Sequence, residues 1–239
     1  MEAFKQGAKI PLKTGEEATV KTLLPPEYKD FSDFLLAKVR FKDWSAMLTA
    51  ATQICEGLEE LHRKGYYFQD LNDGTFLINP QTGRVLIGDY DSVSEYGHNS
   101  GIAGKSLCMA PEIVMGQSSP DKWTELFSLS VILFLLFFNN HPLEGKRITS
   151  VPCMTEKLEK ELFGENPVFI WDSKDDSNRP VQGLHNNVIK RWELVPEILR
   201  NTFSRAFSKE TMTVASEREK RVTETEWKEV FIAMRDTFV

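Results

Sequence analysis

The hydrophobic positions of this chain fall into three patterns. From Trp44, the residues Trp44, Met47, Leu48, Ala51, Ile54, Cys55, Leu58 and Leu61 recur every three or four positions, the period of a helix with one face against a core. The same spacing follows Pro196, in Ile198, Leu199, Phe203, Ala206 and Phe207. A last helix is predicted from Glu224 to Phe238, with Thr223 and Glu226 spaced as a capping box at its start. The most apolar run, Leu126 to Phe138, is shorter than the ~20 residues a bilayer requires and predicts a buried helix instead. Two short runs, Phe76-Leu77-Ile78 and Val85-Leu86-Ile87, flank Asn79-Pro80-Gln81-Thr82-Gly83. Pro and Gly between β-branched or aromatic runs predict an antiparallel hairpin. A second hairpin is predicted over Lys9 to Leu24, with Gly15 at its turn.

Between these elements, Gly97, Gly101 and Gly104 with their polar neighbours predict a mobile segment from Asp91 to Glu112. Asn139 to Gly145 breaks the chain. The stretch from Lys146 to Pro196 reads as irregular, with an acidic loop at Trp171 to Pro180 pinned by its aromatic residues. No internal repeat or low-complexity linker is present.

Composition narrows the function classes. The 239 residues are 41% hydrophobic, enough for one large core or two small ones. The net charge of -6 argues against nucleic acid held by bulk charge. Cys55, Cys108 and Cys153 are isolated and odd in number, so neither a zinc site nor a complete disulfide framework is predicted. The N-terminus lacks the apolar core of a signal peptide. A cytoplasmic protein that neither binds nucleic acid nor spans a membrane is the expectation.

The candidate chemistry lies from Tyr66 to Asp91. An antiparallel hairpin returns the residues just outside its strands to one end, which here brings Asp70 and Asp89 together. A calcium loop over Asp70-Leu71-Asn72-Asp73-Gly74 is excluded, since its glycine falls one position early and Gln81 stands where glutamate is needed.

Four landmarks follow in order: Leu61-His62-Arg63-Lys64-Gly65, the Asp70 and Asp89 pair, Met109-Ala110-Pro111-Glu112, and Arg221. On these residues the chain resembles the eukaryotic-like serine/threonine protein kinases, in a bacterial-type version, from about Pro25 to the C-terminus. The resemblance implies an α+β, mainly α fold: a helical large lobe over residues 25–239, and a short β-hairpin over 1–24 as the remnant of a small lobe. It implies Mg2+ and ATP as cofactors, with Asp70 as the catalytic proton acceptor. Asp89 and Thr75 would be the cofactor-binding and metal-binding residues. Glu112 and Arg221 would form a buried structural ion pair, and Glu125 would brace the loop that carries Asp70. His62 is expected to be a structural hydrogen-bonding residue.

The sequence departs from the family pattern at several of these places. Phe68-Gln69-Asp70 lacks the arginine that reads a phosphorylated activation segment. Asn72 stands where a lysine contacts the transferring phosphate, Thr75 replaces an asparagine, Asp91 replaces a glycine, and Lys105 replaces a threonine. Lys21 has no glycine-rich loop before it and reads as an exposed strand lysine; the serines at 92, 94, 100 and 106 read as ordinary loop residues. Two functions follow as expectations. One is a serine/threonine kinase acting on a protein substrate, impaired as an isolated chain unless a partner supplies a small lobe. The other is a catalytically degenerate, pseudokinase-type scaffold that binds a partner protein.

Overall fold

A computed structural model of the chain describes residues 9–11, 17–19, 26–99, 101–102 and 104–237. Gly15, Lys21 and Ser100 lie outside them. At the front, β1 (Lys9–Pro11) pairs antiparallel with β2 (Glu17–Thr19), with Ile10 opposite Ala18. After it come β3 (Lys29–Asp30), α1 (Phe31–Leu35) and the long helix α2 (Trp44–Arg63).

Helix α2 starts where the Asp43 side chain accepts the Ala46 N–H at 2.9 Å, satisfying one of the N–H groups that a helix start leaves without a partner. It ends at Gly65, whose φ of 83° suits the left-handed turn that closes a helix. Its buried face carries Leu48, Ala51, Ile54, Cys55 and Leu58 of the predicted stripe, and adds Ala46, Ala50 and His62. Trp44 stays 38% exposed.

Four strands then build the site. The predicted hairpin forms from β5 (Phe76–Ile78) and β6 (Val85–Ile87) with Phe76 opposite Ile87, and β3 adds a third strand alongside β5. Its turn is set by Asn79, whose Oδ1 accepts the N–H groups of Gln81 and Thr82, and by Gly83 at φ 74°. A Cβ on Gly83 would meet the Ala46 carbonyl oxygen at 2.0 Å, so only glycine lets the turn rest on α2. A second ladder pairs β4 (Tyr66–Phe68) with β7 (Val93–Glu95).

The core surrounds α4 (Lys122–Phe138), which follows the short α3 (Pro111–Val114). Apolar all round, α4 is covered on every side. Phe134 alone meets the rings of Phe138, Phe169, Phe203 and Phe207 at 4.5 to 6.0 Å. The helix stops at Asn139, which adopts φ 52°, a conformation asparagine tolerates better than most residues. Asp121 opens it by accepting the N–H groups of Trp123 and Thr124 while Thr124 returns a bond to the Asp121 N–H. Asp121→Ala is expected to cost about 1 kcal/mol by urea denaturation, the usual effect of losing such a cap. An unchanged midpoint would show that the cap contributes nothing.

The stretch read as irregular is more helical than its pattern suggests. It holds α5 (Lys146–Thr149), α6 (Glu156–Glu159), a π-helical turn over Lys160–Glu165, and the nine-residue α7 (Asn186–Leu194). Trp192 of α7 stacks on Trp171 at 5.4 Å, and Phe169 is buried against Phe134, so the aromatic residues do pin the acidic loop. The predicted helix after Pro196 is α8 (Glu197–Ala206), followed by α9 (Lys209–Thr213). The C-terminal α10 (Glu224–Thr237) packs along α2. Among the described residues no helix is long and apolar enough to cross a membrane.

Candidate active site

The two strand ladders define the site. The segment 69–75 leaves β4 and enters β5, while the segment 88–92 leaves β6 and enters β7. Because β4 pairs with β7 and β5 with β6, both segments connect the same two ladders and run side by side. Hydrogen bonds join them at both ends: the Gln69 N–H donates to the Ser92 carbonyl at 2.8 Å, and the Gly88 N–H to the Thr75 carbonyl at 2.8 Å. Asp70 sits in one segment and Asp89 in the other.

Asp70 is half-buried. Its Oδ1 accepts the Lys105 backbone N–H at 2.7 Å, and its Oδ2 accepts no hydrogen bond among the described residues. Asp89 is exposed and adopts φ 58°, ψ 41°, a left-handed backbone that non-glycine residues enter infrequently and that concentrates at functional positions. Asp91, also exposed, lies in the single 3₁₀ turn that follows, and the Tyr90 ring lies 6.0 Å from Phe68.

The positions that depart from the family pattern have structural work. Asn72 donates from Nδ2 to the Asp70 carbonyl at 3.0 Å and accepts the Gly74 N–H at 2.8 Å. Thr75 is 1% exposed, and its hydroxyl accepts the Asn72 N–H at 3.3 Å, closing a capping box. A buried hydroxyl engaged in the local turn is ill placed to ligate a cation, so Thr75 does not fit the metal-binding role. Gln69 is buried and donates from Nε2 to Tyr67 Oη and to the His98 carbonyl, each at 3.2 Å. It thereby ties β4 to the segment after β7 without a charge. Among the described residues, no group of three or more His, Cys, Asp or Glu side chains is arranged to hold a metal ion.

Beneath the loop lies a buried charged network. Glu125 of α4 accepts the Phe68 N–H at 2.8 Å through Oε1, which holds the backbone two residues before Asp70. Its Oε2 bonds His62 Nε2, and His62 Nδ1 bonds Glu224 Oε1 at 2.8 Å. Burial alone would lower the His62 pKa, but the two carboxylates outweigh it and raise the value to about 9. The ring is therefore an imidazolium at neutral pH. Burial pushes the Glu125 carboxyl up, against the pull of His62. For Glu224, burial works upward too, but the His62 bond prevails and holds it below the usual range. Sequence reasoning placed His62 and Glu125 but gave Glu224 no role beyond starting a helix.

Glu112 and Arg221 meet in two parallel bonds of 2.8 Å, with 15% and 2% of their side chains exposed. Arg221 also donates to the carbonyls of Thr211 and Trp123. One guanidinium thus joins α3, α4 and α9.

The site thus sits on a helical body built round a buried central helix, with a braced aspartate loop beside a second aspartate turn. The protein kinase domain family matches residues 19–226, and the chain belongs to it. It is 26% identical over 155 residues to a probable cyclin-dependent serine/threonine-protein kinase of Dictyostelium discoideum, covering 63% of this chain and 22% of that protein. It is 23% identical over 148 residues to CBL-interacting protein kinase 17 of Oryza sativa subsp. japonica, covering 59% of this chain and 31% of that protein. A third relative is dual specificity testis-specific protein kinase 1 of Rattus norvegicus, 26% identical over 109 residues, which are 41% of this chain and 17% of that protein. The chain thus spans less than a third of the length of each. The first of these relatives is by its name a serine/threonine kinase and the third a dual specificity kinase; the bacterial-type subfamily expected from the sequence is not shown by them.

Proposed function

We propose that this lobe transfers the γ-phosphoryl group of ATP to a hydroxyl of a protein substrate, with Asp70 as proton acceptor and Asp89 as the ligand of one magnesium ion. The observation that carries this reading is the state of Asp70. Its loop is held from below by Glu125, one carboxylate oxygen is fixed by the Lys105 N–H, and the other accepts no bond among the described residues. Asp89 fits a magnesium ion, since that cation is held through one or two carboxylates plus the phosphates of its substrate. When bound, the ion neutralises charge on those phosphates. Thr75 does not fit a second ion, so no step is assigned to one, and transfer is expected to be slow.

The test is transfer of labelled phosphate from MgATP, followed against magnesium concentration. Asp70→Asn is expected to lower kcat about 100-fold, the smaller end of what a positioned base contributes, and to leave magnesium and nucleotide affinity nearly unchanged. Asp89→Asn is expected to raise the magnesium concentration needed for half-maximal transfer. Undiminished transfer by either variant would exclude the site.

A second reading, a pseudokinase-type scaffold for a partner protein, is favoured by one specific observation: Asn72 and Thr75 are both engaged in shaping the turn. Calorimetry decides between the two. No heat on titrating MgATP into the chain would favour the scaffold, and the carboxylates would then be polar ends of a hairpin.

A further inference from the structure

The chain carries a net charge of -6, yet one of its grooves has a basic mouth. Between α1, the segment after it, the start of α2 and the end of α4 lies a cleft of about 480 Å³, within the ~300 to 1,000 Å³ of ligand-binding clefts. Phe34, Phe41, Trp44, Met47 and Phe137 line its floor, and none of its lining residues belongs to the segments that carry Asp70 and Asp89. The Phe34 ring lies 4.6 Å from that of Phe41, and the Trp44 ring 6.2 Å from that of Phe137. Phe34, Phe41 and Met47 are half-buried and Trp44 is exposed, so the chain covers this apolar floor from one side only.

The lip of the groove is held in place by backbone bonds. Ala37 turns the chain at φ 55°, a left-handed conformation that residues other than glycine enter infrequently and that concentrates at functional positions. The N–H groups of Lys38 and Val39 then donate to the Asp33 carbonyl at 2.9 and 3.2 Å, and the Lys42 N–H donates to the Pro80 carbonyl at 3.0 Å. So held, the run Lys38-Val39-Arg40-Phe41-Lys42 alternates exposed cations with apolar residues that line the groove. Arg191 of α7 faces the same space as Arg40. Burial lowers the pKa of the Arg191 guanidinium and the charge of Arg40 lowers it further, the effect of a like charge nearby; a guanidinium stays protonated all the same. Neither arginine forms a salt bridge among the described residues. Asp43, the acidic side chain on the groove, is engaged as the cap of α2. Two repelling cations beside an open aromatic floor are complementary to a carboxylate joined to apolar groups.

We infer that this groove docks an extended segment of a partner protein in which hydrophobic side chains alternate with glutamate or aspartate, a carboxylate being held by Arg40 and Arg191. An extended chain sends successive side chains to opposite sides, so the apolar residues of such a segment rest on the Phe34, Phe41, Trp44 and Met47 floor while its carboxylates stay at the wet, basic rim. A one-sided floor favours this occupant over an acyl chain, which is apolar all round and would leave one flank in water. The groove is separate from the two aspartate segments, and docking here does not depend on phosphoryl transfer.

The experiment follows the methyl NMR signal of Met47, with the other methionines as internal references, in the full chain labelled with 13C-methyl methionine. Three probes are titrated: a pool of short peptides in which Glu or Asp alternates with Leu, Phe or Met, the same pool with Lys at every acidic position, and laurate. The acidic pool is expected to shift the Met47 signal saturably and the lysine pool to leave it in place. Arg40→Glu reverses an exposed charge, while Arg191 is kept because its Nη1 donates to the Phe137 carbonyl at 3.0 Å. This variant should raise the half-saturating concentration of the acidic pool about tenfold or more, as loss of a charge pair at an interface does. It should also gain binding of the lysine pool, a reversal that a merely structural role for Arg40 would not produce. Lys157→Glu, an exposed charge reversal on α6, should match the parent. An unmoved Met47 signal with the acidic pool, equal binding of both pools by the parent, or parent-like binding by Arg40→Glu overturns the inference. A Met47 shift with laurate and none with the acidic pool makes the groove an acyl-anion site and overturns it as well.

Discussion

Arg221→Ala is expected to lose about 3 to 5 kcal/mol of folding stability, the range for removing one partner of a buried ion pair. The loss is large because the guanidinium does several things at once. It satisfies both Glu112 oxygens, it donates to the carbonyls of Thr211 and Trp123, and it lies 5.5 Å over the Phe127 ring. Alanine leaves a mostly buried carboxylate without its cation and two carbonyls without a donor. A double variant, Glu112→Leu with Arg221→Met, should recover part of the loss, because replacing both charges by apolar groups removes the stranded carboxylate. Urea denaturation of the parent, the single and the double variants measures both effects. A single variant that unfolds at the parent's midpoint would show that the pair does not stabilise the fold.

His62→Ala is expected to cost a similar ~3 to 5 kcal/mol, since it leaves Glu125 and Glu224 buried with no cation between them. The network also predicts a pH dependence. The folded-state pKa of His62 lies above its ordinary 6.5, at about 9, so its protonation stabilises the fold fully below pH 6.5. That contribution is lost as pH rises from 6.5 through about 9 and amounts to about 3 kcal/mol by linkage. Tyr96, over the same helix end, is pushed up to about 12, and burial raises the Cys55 thiol well above the usual thiol range, so both act at higher pH. His141 is lowered to about 4 and acts at lower pH. Unfolding free energies of the parent measured between pH 6.5 and 9 should fall. A flat parent profile would mean that His62 is neutral in the folded protein.

Much of the fold is written locally. The three- and four-residue stripe of α2, the apolar run of α4 and the Pro-Gly turn between β5 and β6 follow from side-chain period and turn chemistry, which depend on near neighbours. Helix α7 escaped that reading because it is polar by composition and buries only Val188, and its anchor is the stack of Trp192 on Trp171. The ladder of β4 with β7 escaped it for a related reason, since β7 is a three-residue strand, Val93-Ser94-Glu95, with little pattern of its own.

The candidate site divides along the same line. By itself the sequence determined the family, the hairpin that sets Asp70 and Asp89 in adjoining segments, and the ion pair of Glu112 with Arg221, because ordered motifs and turn residues between apolar runs survive without coordinates. Tertiary structure alone decided what each charge does. It joined Glu224 to His62 across 162 positions of sequence, turned Thr75 into a buried cap, and brought Lys105 onto Asp73. The physical reason is that a side chain's protonation, burial and ligand are set by whatever packs against it. In a folded chain those neighbours come from distant segments that leave no periodic mark on one another.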